Sequence, residues 1–256
     1  MLFRVTELEG ASLAALDGAI GEVEDFYFDD THWTVRYLVV NTGGWLAGRH
    51  VLVAPASVRQ IDLTNDHVVV ELTRKQVEDS PNVDTHQPVS RRQEVNLLAH
   101  YGIPLYWLGP FPWGPVPLPM PATPGSPVDD EMLARHEQDE TADAHLHSAR
   151  DVVGYEIEAR DGAIGHVADF LVDDKAWTIR WLVVDTGHWL PGKQVLVSPE
   201  WVEDVAWAAR AVRVGLTRAQ IQGAPAYDPE RPVERDYERR LYEYYGRPSY
   251  WGSRAA

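Results

Sequence analysis

Ten histidines and 39 acidic residues are the side chains of this 256-residue chain that could hold a metal or move a proton. The closest histidine pair, His145-x-His147, has no carboxylate beside it at ligand spacing. Asp29-Asp30 and Asp173-Asp174 offer the oxygens a hard cation takes, but neither sits in an Asp-x-Asp-x-Asp-Gly loop, and both read as exposed turns. Cysteine is absent, which removes thiol nucleophiles, disulfides, Cys-ligated zinc and Cys-ligated iron–sulfur clusters. Thr42-Gly43-Gly44-Trp45-Leu46-Ala47-Gly48 lacks the Lys-Ser/Thr of a phosphate-binding loop, and no Gly-x-Ser-x-Gly elbow occurs. These patterns predict no catalytic residue, no metal site and no cofactor. The expectation is a protein that is not an enzyme.

The residues that could do chemistry sit inside an internal duplication. Asp17-Gly18-Ala19-Ile20-Gly21 returns as Asp161-Gly162-Ala163-Ile164-Gly165, and Tyr101-Gly102, Pro104 and Tyr106-Trp107 return as Tyr245-Gly246, Pro248 and Tyr250-Trp251. The offset is 144 throughout, from Leu2/Leu146 to Trp107/Trp251, with 47 identities over 106 ungapped pairs. No histidine is retained between copies: His32, His50 and His67 meet Ala176, Gln194 and Ala211, and His166 meets Glu22. A duplicated His-dependent site is thereby disfavoured.

A period this long makes each copy a small domain rather than a solenoid repeat. Residues 1–107 and 146–256 are the two copies, each with a helical and aromatic extension, and 108–145 is the linker. The linker opens with prolines at 110, 112, 115, 117, 119, 121, 124 and 127 and then turns acidic. No charged residue falls between Tyr101 and Val128. So many prolines cannot satisfy the backbone of a membrane-spanning helix. An aromatic, proline-rich strap lying on a barrel, on a partner or at a membrane interface fits better.

Within each copy the apolar runs are short and rich in β-branched and aromatic residues. Strands are expected at Ser12–Leu16, Ile20–Phe28, Trp33–Val40, His50–Val53, Val58–Leu63 and His67–Leu72. Their size and sequential order predict small antiparallel barrels in tandem, mainly β, that close to remove their edges. Helical turns follow at Thr73–Val77 and Thr217–Ile221, then longer helices near Ser90–His100 and Val233–Tyr245. Ser90 to Gln93 fits a capping box, and Gly102 and Gly246 stand where a helix ends. If Phe28 pairs with Trp33 across a turn at Asp29–His32, Asp25 faces Arg36 and Asp169 faces Arg180. Both are then read as structural ion pairs that help set register.

Gly10, Asp17-Gly18, Ile20-Gly21-x-Val23-x-Asp25, the aspartates at 29–30, Val35-x-x-Leu38-Val39-Val40 and Val51-Leu52-Val53-x-Pro55 resemble a PRC-barrel domain, and Gly154 through Pro199 resembles a second. The resemblance implies a small all-β barrel. It covers about 75 residues per copy; the helical Tyr-Gly-x-Pro-x-Tyr-Trp extension is similar to tails of some stand-alone bacterial members. That family includes the cytoplasmic region of the photosynthetic reaction-centre H subunit and the C-terminal domain of the ribosome-maturation factor, both of which use the barrel to dock proteins. The H subunit's membrane helix and the ribosome factor's preceding domain have no counterpart in this sequence, so neither specific role carries over.

The formal net charge is −16, which disfavours nucleic acid and polybasic membrane anchoring. The N-terminal residues have no basic run followed by an apolar one, so the expected address is cytoplasmic, with a membrane-peripheral position as the variant. The leading expectation is a protein-binding adaptor or scaffold of unknown partner, which a membrane complex could supply. The alternatives are a reaction-centre-H-like auxiliary protein that modulates electron transfer, and an uncharacterised hydrolase. Trp45-Leu46 and Trp189-Leu190, in glycine-flanked loops, are the candidate docking residues. Pairing of the copies about a pseudo-twofold, or a homodimer, would follow from such duplicated loops.

Overall fold

Glycine and aspartate turns cut each half of the chain into short apolar runs, and the structure, a computed structural model, makes those runs strands. It describes residues 1–82, 89–120, 145–187 and 192–252. The first half contains β1 (Leu2–Arg4), α1 (Val5–Leu8), β2 (Ser12–Ala15), β3 (Gly18–Asp29), β4 (Thr34–Asn41), β5 (His50–Val53), β6 (Val58–Asp62), β7 (His67–Val70), α2 (Arg74–Glu78) and α3 (Arg91–Tyr101). The second repeats the series as β8 (Leu146–Ser148), α4 (Ala149–Val152), β9 (Glu156–Ala159), β10 (Gly162–Asp173), β11 (Ile179–Asp185), β12 (Gln194–Val197), β13 (Val202–Ala206), β14 (Ala211–Val214), α5 (Arg218–Gly223) and α6 (Arg235–Tyr245). The Ser90–Gln93 capping box forms, and Gly102 and Gly246 end α3 and α6 in the left-handed conformation.

Two seven-stranded sheets result. One runs β5-β4-β3-β2-β7-β6 with β8 beside β3; the other runs β12-β11-β10-β9-β14-β13 with β1 beside β10. The first strand of each half therefore joins the sheet of the other half. The compact units follow suit: one comprises Met1–Arg4, Asp151–Asp173 and Ile179–Ala256, the other Val5–Arg150 and Asp174–Thr178.

The geometry of β3 explains the exchange. This twelve-residue strand pairs along one edge with β4, while β2 covers its other edge only from Gly18 to Glu22. Tyr27, Phe28 and Asp29 on that edge pair with Ser148, His147 and Leu146 of β8. Without β8 these backbone groups would form an open edge, a template for unwanted pairing. The same holds for β10, whose Leu171, Val172 and Asp173 take Arg4, Phe3 and Leu2.

Two expectations change. The sheets are not purely antiparallel: β2 with β7 and β9 with β14 run parallel. A parallel pair needs a long crossover, and β3 through β6 (or β10 through β13) supplies it. Among the described residues the hydrogen-bonded path is also open, from β5 to β6 and from β12 to β13. The outer strands expose Arg59 and Gln60 in one sheet and Glu203 and Asp204 in the other, polar side chains of the kind that protect a free edge.

Burial is continuous along Thr34–Val40 and from Asp25 to Asp29, so both faces of the sheet are covered there. One face packs the apolar interior; the other lies under α3 and the chain after it. Gly21 and Gly165 permit the close pass of neighbouring backbone: a Cβ on either would sit 2.1 Å from the Asn41 carbonyl oxygen or 2.0 Å from that of Asp185. We expect Gly21→Ala to cost about 2–4 kcal/mol and Gly44→Ala, which meets open space, less than about 0.5. Denaturant midpoints of the two variants check this; equal midpoints would contradict the close packing.

Candidate functional site

The predicted register fails at the β3–β4 hairpin, and the failure builds the site. Asp29 pairs with Thr34, so the turn is residues 30–33 and Trp33 lies in it with φ of 50°. Register then shifts between Tyr27 and Phe28 and again between Val23 and Asp25. Arg36 is the extra residue of the first bulge and Glu24 of the second. Asp25 consequently faces Val39, not Arg36, and Asp169 faces Val183, not Arg180. A bulge re-aims the side chain it carries. Arg36 turns to Asp29, with Nε 2.7 Å from Oδ2, and Arg180 turns to Asp173 at 3.6 Å.

Arg36 is 1% exposed. Its guanidinium lies 3.7 Å from the Tyr106 ring centroid and 4.9 Å from that of Trp113, and it donates to the Pro112 carbonyl. The cation thus ties the hairpin to both the tail of α3 and the start of the proline-rich segment. Burial alone pushes the Asp29 carboxyl up, but the hydrogen bonds from His32 and the Arg36 charge outweigh it and hold the group below its ordinary value.

Glu94 of α3, wholly buried, is the second element. It accepts from Tyr37 Oη at 3.1 Å, Tyr106 Oη at 2.7 Å and Arg91 Nη1 at 3.1 Å, and His145 Nε2 lies 2.5 Å away. Burial and the Glu94 charge push both tyrosines well above their usual range, which keeps them protonated as donors. The other copy repeats the plan: Glu238 of α6 accepts from Trp181 Nε1 at 3.0 Å, Tyr250 Oη at 3.1 Å and Arg235 Nη1 at 3.1 Å. Sequence reasoning passed over Glu94 and Glu238. Their signal was present: a retained Arg-x-x-Glu on a helix, followed twelve residues after the Glu by a retained Tyr.

The exchanged strand β8 supplies the third element. Asp25 accepts from Ser148 Oγ at 2.5 Å, from the backbone N–H of Arg150 at 3.1 Å and from that of Phe26 at 2.7 Å. Arg150 Nη1 also reaches the Glu24 carboxylate at 3.4 Å, and its Nη2 donates to the Glu24 carbonyl. His147 Nε2 stands 3.2 Å from Asp30 Oδ2. The pair His145-x-His147 therefore faces two separate carboxylates instead of one ion. Among the described residues no group of three or more His, Asp or Glu is placed to hold a metal. Burial raises the Asp25 carboxyl above its ordinary value despite its donors.

The loop between β4 and β5 carries Trp45 and Leu46, both partly buried. Its backbone is tied at Gly48 N to Gly43 O, 2.6 Å, and Thr42 Oγ1 donates to Arg49 O at 2.6 Å. The Arg74 guanidinium lies 4.3 Å from the Trp45 ring centroid. Trp189 and Leu190 fall outside the described residues.

A family model described as PRC-barrel domain matches residues 1–77 and 145–221, both ends shifted by the same 144 residues. The chain belongs to the PRC-barrel family. No curated protein matches it. The two PRC-barrel matches stop before α3 and α6, so Glu94, Glu238 and the aromatic tails are additions to the family module. No helix among the described residues is long and apolar enough to cross a membrane.

Glu94→Ala removes the buried acceptor shared by Tyr37, Tyr106 and the partly exposed Arg91 and is expected to destabilise by about 3–5 kcal/mol, with Glu94→Gln milder, as read by chemical denaturation. The two aspartates predict opposite pH limbs. Asp29, held low, contributes stability that is present above the ordinary Asp range and lost as pH falls through its folded value. Asp25, pushed up, contributes most below that range and loses its contribution as pH rises through its folded value. Melting curves from acid to neutral pH should show the wild-type advantage over Asp29→Asn growing and that over Asp25→Asn shrinking.

Proposed function

We propose that this protein is a non-enzymatic docking adaptor in which each PRC-barrel unit, curled into the small barrel its family implies, offers a surface to another protein. The observation that supports this reading best is the Trp45–Leu46 loop. A large aromatic ring stays partly exposed on a backbone already fixed by its own hydrogen bonds. Little ordering entropy remains to be lost when such a loop meets a partner. Tryptophan and arginine, here Trp45 under Arg74, are among the residue types enriched where binding energy concentrates.

The retained charged residues support binding over catalysis. Asp25, Asp29, Arg36 and Glu94 are all engaged in bonds that hold strands, helix and tail together. With a net charge of −16, the chain favours a partner whose face is basic, and such association weakens with salt. The Trp-Leu pair recurs at Trp189-Leu190, and two docking loops on one chain raise avidity when both can engage.

Crosslinking affinity purification identifies the partner, and titration then measures it. Trp45→Ala is expected to weaken binding by about 2 kcal/mol, with Trp45→Ala/Trp189→Ala weaker still and circular dichroism unchanged. Unaltered affinity in the folded double variant would refute the loop as the docking surface.

A further inference from the structure

The exchanged strand β8 is bordered by titratable side chains where its counterpart β1 has none. At the 144-residue offset His145 falls on Met1 and His147 on Phe3. Both imidazoles are largely buried, with 13% and 14% of the side chain exposed. Each ends on a carboxylate of the element it packs against. His145 Nε2 lies 2.5 Å from Glu94 Oε1 on α3, and His147 Nε2 lies 3.2 Å from Asp30 Oδ2 in the β3–β4 turn. Imidazole side chains change charge between about pH 5 and 8. A charge-assisted hydrogen bond is about twice as strong as a neutral one, and low dielectric widens the difference.

We propose that β8 is a proton-gated latch: protonated His145 and His147 hold it on β3 in mild acid, and their deprotonation loosens it as pH rises, while β1 stays docked on β10. Loosening bares the backbone of Tyr27, Phe28 and Asp29, the edge that β8 covers. Proton binding and strand docking are linked, so each favours the other by the same factor.

The charges around the latch set its direction. Glu94 also meets Arg91 Nη1 at 3.1 Å and accepts from Tyr37 and Tyr106, so α3 keeps its own bonds when His145 loses its proton. Arg36 lies over the Tyr106 ring, but its charge is met by Asp29, which His32 approaches at 3.5 Å. His147 has the Phe28 ring 6.0 Å away in addition to Asp30. Beyond the strand, Asp25 accepts from Ser148 and from the Arg150 N–H; burial raises its carboxyl, so it too grips β8 less as pH rises. His50 lies 2.8 Å from Glu24, the carboxylate that Arg150 reaches, so its protonation competes with Arg150 and opposes the latch.

The test is amide hydrogen exchange on the full-length chain at about pH 5.5 and about pH 7.5, corrected for the pH dependence of the exchange chemistry itself. Protection of the β8 amides is expected to fall at least about fivefold from the lower to the higher pH, with that of the β1 amides unchanged. His145→Gln/His147→Gln keeps side-chain hydrogen bonding without a titrating ring and should erase most of the fall. Each single variant should erase part of it, which keeps the test valid should the double variant misfold. Protection of β8 that ignores pH, a fall that β1 shares, or a fall retained in full by both single variants and so belonging to Asp25, would each overturn the proposal.

Discussion

A twelve-residue strand with half of one edge left open is the constraint on which the rest of this structure depends. β3 and β10 are each longer than the hairpin partner on that side, and unpaired backbone groups next to a buried core are costly. A three-residue strand from the other half of the chain closes each gap. Neither sheet is complete from its own copy. The duplication thus supplies more than a second module, since each half contributes the strand the other lacks.

Buried polar groups then fix what the backbone has arranged. Each copy places a carboxylate from its last helix, Glu94 or Glu238, among an arginine one turn earlier and a tyrosine from the tail. Such a network stabilises only when every member is satisfied, and its value lies as much in geometry as in energy. The copies differ where it matters: Tyr37 becomes Trp181, and His145, beside Glu94, corresponds to Met1. Polar pairing at β8 brings His145, His147 and Ser148 against Glu94, Asp30 and Asp25. This set of side chains belongs to one unit, so the two modules are not equivalent surfaces.

Much of the fold was legible in the chain. The 144-residue offset located the copies, short β-branched and aromatic runs located six strands per copy, and Ser90-x-x-Gln93 with Gly102 framed α3. The exchanged strands were not legible, because Leu2-Phe3-Arg4 and Leu146-His147-Ser148 are too short to carry a pattern. β3 and β10 are also so alike that sequence cannot say which is the partner. The ion pairs were misassigned because the turn sits one residue further along, which shifts the pairing by two, and a bulge without any local mark adds a third, so Arg36 and Arg180 each moved from the expected aspartate to one four residues later. Glu94 looked like an ordinary charged helix residue, since burial of a carboxylate depends on donors distant in sequence.

Family membership sets the module, and the side chains around it set what the module can meet. Arg36 of β4 holds the start of the proline-rich segment and Trp113 ties it to Ala176 in the β10–β11 turn, while Trp45 follows the opposite end of β4. Both depend on sheets completed by exchange, and the absence of native cysteine allows that exchange to be read directly. Cysteines placed at Leu2 and Asp173, opposed in the β1–β10 ladder, lie within disulfide reach if the strands pair as described. Mild oxidation of the Leu2→Cys/Asp173→Cys chain should close a disulfide within single molecules, with no free thiol left. Free thiols after oxidation, or only crosslinked dimers, would contradict the exchange.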